Sequence, residues 1–249
     1  MDEFVERIAA DLRAAGLRPG GVVLVHSSLR SLGPVPGGAE TVVRAFLRAL
    51  GEEGTLLMPA LSYAYVNAGQ LVFDVLRTPS CVGALPEYFR TRAGTRRSVH
   101  PTHSVAGIGS LAESLLAGHE ADTTPAGPHS PFSRLREAGG QLCFLGCGLR
   151  PNTSMHAIEE HVVPSYLFGP ELTYTLRFAD GAERRQTYRT HGFRGRRQRY
   201  DRIAGLLDSD ALRTGTCLQT TVHLLDTPPM WDAALAALRR DPLYFVEPA

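Results

Sequence analysis

The chain has 249 residues, 43% of them hydrophobic, and a formal net charge of +1. This length and apolar content can bury a substantial core, while the near-neutral charge excludes a protein built to bind a nucleic-acid phosphate backbone. All 26 basic side chains other than histidine are arginines, and several form one locally basic segment between 184 and 199. The cysteines, at 81, 143, 147 and 217, include no Cys-x-x-Cys pair, so we expect them to be reduced.

The N-terminal segment lacks the features of a targeting signal. Its acidic start, Asp2 and Glu3, leads into an amphipathic helix, whereas a signal peptide has a basic start and an apolar middle. No apolar run approaches the roughly 20 residues that a membrane helix needs. We therefore expect a cytoplasmic protein with neither a membrane nor a nucleic acid as its partner.

Hydrophobic periodicity predicts alternating helices and strands along most of the chain. In chain order the predicted elements are helix 3–15, strand 22–25, helix 39–50, strand 55–58, helix 82–92, a strand ending near 109, helix 111–116, helix 131–138, strand 141–146, strand 172–178, a helical segment near 200–208, strand 217–223 and helix 230–240. Residues 60–80 have no clear period and are interpreted as a loop near a site, and residues 118–131 as another loop.

The order of these elements predicts the fold class. A strand, a glycine-rich loop, a helix and a second strand indicate a parallel βαβ unit near the N-terminus. We expect one domain over 1–249 with an α/β fold of three layers, α/β/α. Its central sheet would be mostly parallel or mixed, and an antiparallel portion, about 171–225, would be integrated with it. The first strand delivers His26 at its carboxyl end, where open α/β sheets bind ligands.

The stretch from Pro151 to His161 is the best candidate for chemistry. Asn152, Thr153 or Ser154 would cap a helix on which His156 and Glu159 share one face. A histidine can accept the proton of an attacking amine or hydroxyl, and a neighbouring carboxylate can fix its tautomer. The same spacing also occurs on solvated helix faces, so spacing alone leaves both interpretations open.

Metal binding is the first alternative. His156 and His161 are five positions apart, about 140° around a helix, so their rings diverge and the zincin spacing is not met. His100 and His103 form a second loose pair with no cysteine nearby. We therefore expect no metal.

Two further alternatives also lack their motifs. A serine hydrolase would use Ser27, Ser28 or Ser104, but no Gly-x-Ser-x-Gly turn is present. The glycine-rich loop 33–38 has neither the Gly-Lys-Ser/Thr nor the Gly-x-Gly-x-x-Gly pattern of nucleotide-binding loops.

Several segments taken together resemble one known family. They are Val25–Gly33 followed by Gly37–Val43, Gly54–Pro59, Arg97–Pro101 with Ser104–Ala106, and Asn152–Glu159. In this order and spacing they resemble the aminoglycoside 3-N-acetyltransferase family, over about residues 10–240. The resemblance implies an α/β/α fold, antibiotic resistance, and direct transfer of acetyl from acetyl-CoA to an amine through a tetrahedral intermediate, without a covalent acyl-enzyme.

The resemblance also implies roles for individual residues. His156 matches the catalytic base and Glu159 its supporting carboxylate, with Thr153 or Ser28 expected to hold the thioester oxygen. Glu160 and His161 would be bystanders. The residues expected at coenzyme A are His26, Ser27, Ser28, Leu29, Val35, Gly37, Gly38, Arg97 and Ser98. Those expected at the acceptor are Glu159, Tyr63, His191 and Arg194.

One departure from the family concerns the acceptor. The stretch Arg189–Arg194 contains several arginines and no acid where resistance enzymes of the family look acidic. A site lined by arginines would repel a polycation and favour a neutral or anionic amine. Other options stay open: a non-catalytic relative that binds coenzyme A or an acyl-CoA, an acyltransferase with a hydroxyl acceptor or a longer acyl group, and a monomer or a homodimer.

Overall fold

The structure, a computed structural model, describes residues 2–249 and is organised around a seven-stranded mixed sheet in the order β10-β11-β6-β1-β2-β5-β4. The strands of the chain are β1 (Val22–Ser27), β2 (Thr55–Pro59), β3 (Val72–Asp74), β4 (Arg96–Arg97), β5 (Val105–Gly109), β6 (Gln141–Leu145), β7 (Phe168–Arg177), β8 (Glu183–His191), β9 (Arg196–Gln198), β10 (Leu212–Cys217), β11 (Thr220–Asp226) and β12 (Val246–Pro248). The three central strands, β6, β1 and β2, are parallel, and the strands on either side are antiparallel. The predicted βαβ unit and the mixed sheet are confirmed.

Helices cover both faces of this sheet. They are α1 (Asp2–Ala14), α2 (Gly38–Leu50), α3 (Ala84–Thr91), α4 (Ala112–Leu116), α5 (Pro131–Glu137), α6 (Met155–Val162) and α7 (Thr227–Arg240). Val23 and Val25 of β1 pack into the core with α1, α2 and α3, whereas Val22 and Leu24 pack into the core with α4 to α7. Because β side chains alternate between faces, a continuous apolar run fits a strand covered twice, and each buried Val or Leu stabilises the fold by about 1.5–3 kcal/mol.

Two sequence predictions in the less regular regions are wrong. The predicted loop 60–80 contains β3, which pairs with β7 and, together with β8, forms a separate three-stranded sheet with its own apolar cluster. The predicted strand 217–223 is two strands, because the chain turns at Leu218, whose φ is 53°. This hairpin adds β10 and β11 to the central sheet, and β9 pairs with β12 outside it.

The centre of the sheet creates a cleft. β1 lies between β2 and β6, so the connections that leave the carboxyl ends of these parallel strands run to opposite sides. Ligands of open α/β sheets bind at such switch points. Within residues 2–249, no helix has the length and apolar character required to cross a membrane.

Candidate active site

A cavity of about 620 Å³ opens at the carboxyl ends of β1 and β6. Its lining consists of side chains from strand ends, loops and α6. The fold brings these elements together from distant parts of the chain. Its walls include Val25, His26, Ser27, Pro59, Leu61, Tyr63, Val82, Pro86, His103, Cys147, Arg150, Pro151, Asn152, Thr153, His156, His191, Phe193, Arg197, Gln198 and Tyr200.

A glycine turn carries the chain from β6 towards α6. Gly146 has a φ of 71°, and a Cβ at this position would lie 1.7 Å from Oγ of Ser31, so only glycine allows the close approach. The helix then begins without the predicted side-chain cap. Ser154 stands at the N-cap position in a helical conformation, and its buried Oγ has no hydrogen-bond partner. Thr153, predicted to hold the thioester oxygen, lines the cavity.

His156 and Glu159 form the predicted pair on α6, but two tyrosines join them. Oε2 of Glu159 lies 3.3 Å from Nδ1 of His156 and accepts a 2.7 Å hydrogen bond from the hydroxyl of Tyr200. That same hydroxyl lies 3.0 Å from Nδ1 of His156. The hydroxyl of Tyr166 donates to Oε1 of Glu159 at 2.8 Å. Glu159 is fully buried, so this network satisfies both oxygens of a carboxylate removed from water.

The network favours one tautomer of His156. The hydroxyl hydrogen of Tyr200 is donated to Glu159 across the shorter contact, so the tyrosine oxygen is free to accept a hydrogen bond from the Nδ1–H of His156. Nε2 then carries the lone pair. Burial and the neighbouring Glu159 raise the pKa of Tyr200 well above its usual range, which keeps its hydroxyl protonated.

Glu160 is not the solvated bystander that the sequence suggested. Its Oε1 lies 2.8 Å from Nε2 of His191 and accepts from the N–H of Ala126, while its Oε2 accepts from the hydroxyl of Thr124. Burial raises the pKa of Glu160 to about 7, although the hydrogen bonds from Thr124 and Ala126 act in the opposite direction. α6 therefore holds two histidines through two successive carboxylates.

His103 completes a group of three imidazoles, which we call the histidine floor: His103, His156 and His191. The ring of His156 lies 5.5 Å from that of His103 and 4.8 Å from that of His191, between centroids. Burial and the neighbouring imidazoles hold the pKa values of His103 and His191 well below their usual range, so both rings are neutral. His161 points elsewhere and stacks edge-on against Trp231, in agreement with the helix geometry.

The predicted coenzyme A residues fall into separate places. His26 and Ser27 line the cavity, and both Nε2 of His26 and Oγ of Ser27 are buried without a partner. Burial and the nearby His156 lower the pKa of His26 to about 3, so this ring is also neutral. The other predicted residues between the end of β1 and the start of α2 lie outside the cavity lining: Ser28, Leu29, Val35, Gly37 and Gly38, the first residue of α2.

The structure does not bring Arg97 and Ser98 to the cavity. Arg97 donates to the carbonyl oxygens of Thr78 and Ala60 and to Oγ of Ser104, so its guanidinium is used inside the fold. Oγ of Ser98 is buried and lies 3.0 Å from Nδ1 of His119. Both residues join loops to the sheet, and their assignment to coenzyme A stays a prediction that this cavity does not support.

On the acceptor side, Tyr63 and His191 line the cavity as predicted, but Arg194 is exposed and does not. The arginines that reach the cavity are Arg150 and Arg197. They belong to a group that we call the arginine rim: Arg150, Arg197, Arg199 and Arg202 with Asp201 and Glu247. Four guanidinium groups share two carboxylates, so the rim carries excess positive charge. Among the described residues, no Asp or Glu side chain lines the cavity.

Four residues near the cavity were not identified from the sequence: Tyr166, Tyr200 and the rim residues Arg150 and Glu247. Tyr166 follows Glu159 by seven positions. α6 ends at Val162, and the next residue, Val163, has a φ of 53° that turns the chain back so that this tyrosine reaches the carboxylate. No local signal identifies Tyr200, which is 41 positions from Glu159.

The mixed sheet, its two helical layers and a buried histidine–carboxylate network at the switch point define an α/β protein with a histidine-lined cavity. A sequence model described as "Aminoglycoside 3-N-acetyltransferase" matches residues 24–239. The chain belongs to this family.

Known relatives agree with that assignment. The chain is 36% identical over 170 residues to "Aminoglycoside N(3)-acetyltransferase VII" of Streptomyces paromomycinus, an alignment covering 61% of this chain and 59% of that protein. The chain thus spans about three-fifths of the length of the curated relatives it matches.

Two solved structures share the fold. One is a His-to-Ala variant of aminoglycoside acetyltransferase AAC(3)-IVa in complex with a gentamicin, with a TM-score of 0.82, 29% identity and coverage of 97% of this chain and 90% of that one. The other is AAC-IIIb in a binary complex with CoASH, with a TM-score of 0.81, 25% identity and coverage of 97% of both chains.

Proposed function

We propose that this protein is an acetyl-CoA-dependent N-acetyltransferase that acts on an amine of an aminoglycoside or amino-sugar-like small molecule. The observation that carries the proposal is the His156–Tyr200–Glu159 network, which leaves Nε2 of His156 as a base beside the cavity. Relatives named as aminoglycoside acetyltransferases, one of them bound to CoASH, support the choice of donor and acceptor.

The residues at the end of β1 fit an acyl donor. Oγ of Ser27 and Nε2 of His26 are buried polar atoms without partners, and both line the cavity, where the amide and thioester groups of acetyl-CoA could engage them. The N-terminus of α2, at Gly37, has no side-chain cap, and although the N–H of Gly38 donates to the carbonyl oxygen of Val35, a helix N-terminus suits a phosphate. Acetyl-CoA supplies the acetyl thioester when bound.

His156 does the proton chemistry in this proposal. An acceptor amine attacks only when its lone pair is free, and Nε2 of His156 takes the proton that the amine loses as it forms the amide. The proton makes an imidazolium, which buried Glu159 stabilises through Nδ1 and Tyr200. Direct transfer needs no nucleophile of the protein: the amine would displace coenzyme A as the C–S bond of the thioester breaks, and the departing thiolate would take the proton back from His156. Thr153, beside His156 in the cavity, is our candidate donor to the thioester oxygen.

The arginine rim supports a preference for a neutral or anionic acceptor. Arg150 and Arg197 are the charged residues of the cavity lining, and the rim has twice as many arginines as acids. A polycation would be repelled, whereas a carboxylate or phosphate on the acceptor would be attracted and held by a planar guanidinium. We therefore expect the preferred acceptor to be an amine that carries an anionic group, and neutral amino sugars to be the second most favoured class.

The test measures coenzyme A release from acetyl-CoA in the presence of an amine mixture. We expect transfer that falls at least a hundredfold in His156→Ala while coenzyme A still binds, and that is retained in His161→Ala on the same helix. The second candidate, a non-catalytic coenzyme A binder, predicts donor binding without amine-dependent release in the wild type, and that result would refute the proposed activity.

A further inference from the structure

The histidine floor has features that general-base chemistry alone does not explain. One ligand nitrogen from each of His103, His156 and His191 lies within 4.8 Å of the corresponding nitrogens of the other two. A general base needs one imidazole. Three converging imidazoles on a cavity wall are the ligand set of an open zinc site, in which three histidines hold the ion and a fourth position faces the cavity.

Each of the three rings is anchored at one nitrogen. Nδ1 of His103 lies 2.8 Å from Oγ1 of Thr102, Nδ1 of His156 contacts Tyr200 and Glu159, and Nε2 of His191 contacts Glu160. Histidines that bind metals are held in this way, with the second nitrogen on a hydroxyl, carbonyl or carboxylate group that fixes the tautomer and the ring orientation.

The opposite nitrogens are available. Nδ1 of His191 is buried without any hydrogen-bond partner, and Nε2 of His103 and of His156 receive no hydrogen bond from the rest of residues 2–249. All three side chains line the cavity, which gives an ion a route from solvent.

We propose that His103, His156 and His191 form a binding site for a zinc-class divalent cation, and that its occupancy inhibits the protein by taking the lone pair of His156. Zn–N bonds of about 2.0–2.1 Å place ligand nitrogens roughly 3.3 Å apart in a tetrahedral site, so nitrogens now within 4.8 Å of one another need to approach by at most about 1.5 Å on binding. Imidazole ligands select zinc and its neighbours over the oxygen-preferring Mg²⁺. Binding itself is independent of the proposed function; only the inhibition rests on it.

The binding experiment titrates metal-stripped full-length protein with Zn²⁺ against a chromophoric chelator, without substrates, and repeats the titration with Mg²⁺. We expect one tight Zn²⁺ per chain and no comparable Mg²⁺ site. Affinity should fall at least tenfold in His103→Ala and in His191→Ala and stay unchanged in His161→Ala, the exposed histidine of α6. Absence of tight binding, or equal binding in wild type and both floor variants, overturns the proposal.

A second variant guards against misfolding of the alanine variants. Glu160→Gln keeps all three rings and removes only the carboxylate that anchors His191, so zinc affinity should fall about 10-fold or more. Unchanged affinity in this variant contradicts the proposed geometry. Acetyl transfer by the wild type should fall over the same Zn²⁺ range and recover with EDTA. Transfer that persists at saturating Zn²⁺ overturns the inhibition, whereas no transfer even without zinc refutes the proposed function alone.

Discussion

The histidine floor and the arginine rim border the same cavity but are built in opposite ways. The floor consists of buried rings, two of them kept neutral by burial, and each is anchored by a fully or nearly buried carboxylate or a hydroxyl. The rim consists of permanently charged guanidinium groups that form ion pairs with carboxylates partly exposed to solvent. The floor is suited to moving a proton, since the imidazole of His156 can take up a proton beside the buried carboxylate of Glu159. The rim is suited to recognising charge, since its own charge is fixed.

The two carboxylates of α6, Glu159 and Glu160, contact different histidines of the floor, so substituting each one separates the roles of His156 and His191. Glu159→Gln should lower kcat by about 10²–10⁴-fold, because His156 loses the charge that orients it and stabilises its imidazolium. Glu160→Gln, the adjacent position, should lower kcat by roughly tenfold or less, because it anchors His191 instead. Steady-state kinetics with one amine compares them directly. Equal losses in both variants would mean that His191 shares the base function.

A substitution at Tyr200 tests whether its hydroxyl couples His156 to Glu159. Tyr200→Phe removes the hydroxyl that contacts both His156 and Glu159, and should lower kcat about tenfold and change the pH profile of kcat. It should also destabilise the fold by about 1–3 kcal/mol, since a buried acceptor loses its donor. Tyr166→Phe removes a donor to Glu159 without touching His156, so its stability loss should come with an unchanged pH profile.

The rim should affect KM more than kcat. Replacing Arg150 or Arg197 by Ala should raise KM for a phosphate-bearing amine about tenfold, equal to about 1.4 kcal/mol, and change kcat little. The exposed Arg194 lies outside the cavity lining and provides the control, Arg194→Ala. KM values that respond equally to all three substitutions would indicate a diffuse charge effect rather than a rim site.

The smallest effect concerns the acid stability of the rim. Hydrogen bonds from Arg199 and Arg197 lower the pKa of Glu247 in the folded protein. A depressed folded pKa gives stability that is present above the unfolded value, about 4.3, and is lost as the pH falls through the folded value. Thermal melts below pH 5 should therefore show a slightly steeper decline in wild type than in Glu247→Gln. An equal decline of the melting temperature in both proteins would show that the Glu247 carboxylate does not stabilise the fold.

The sequence predicted the parts of the molecule that depend on local pattern. Periodicity predicts strands that are covered on both faces, such as β1, and amphipathic helices such as α2. It also predicts the i, i+3 pair of His156 and Glu159. Tyr200 and His103 were not predicted as parts of the base site, because their contacts with α6 arise from folding and not from sequence spacing. Arg97 was assigned to coenzyme A from a motif, but its donors are used by loop carbonyls within the fold.

The imidazoles that lie nearest to His156 could not be predicted from the sequence for the same reason. His156 and His161 do diverge on α6, but the imidazoles that approach His156 come from the loop before β5 and the end of β8. Sequence spacing within one helix carries no information about such partners.

Acceptor competition tests most directly the claim that the floor accepts the proton of the amine and the rim selects which amine binds. Wild-type protein receives acetyl-CoA with equal concentrations of an amino sugar phosphate and gentamicin, and the acetylated products are quantified by mass spectrometry at early times. We predict that the phosphate-bearing amine is acetylated faster and that Arg197→Glu reverses the order. Faster acetylation of gentamicin by the wild type would contradict the role assigned to the rim.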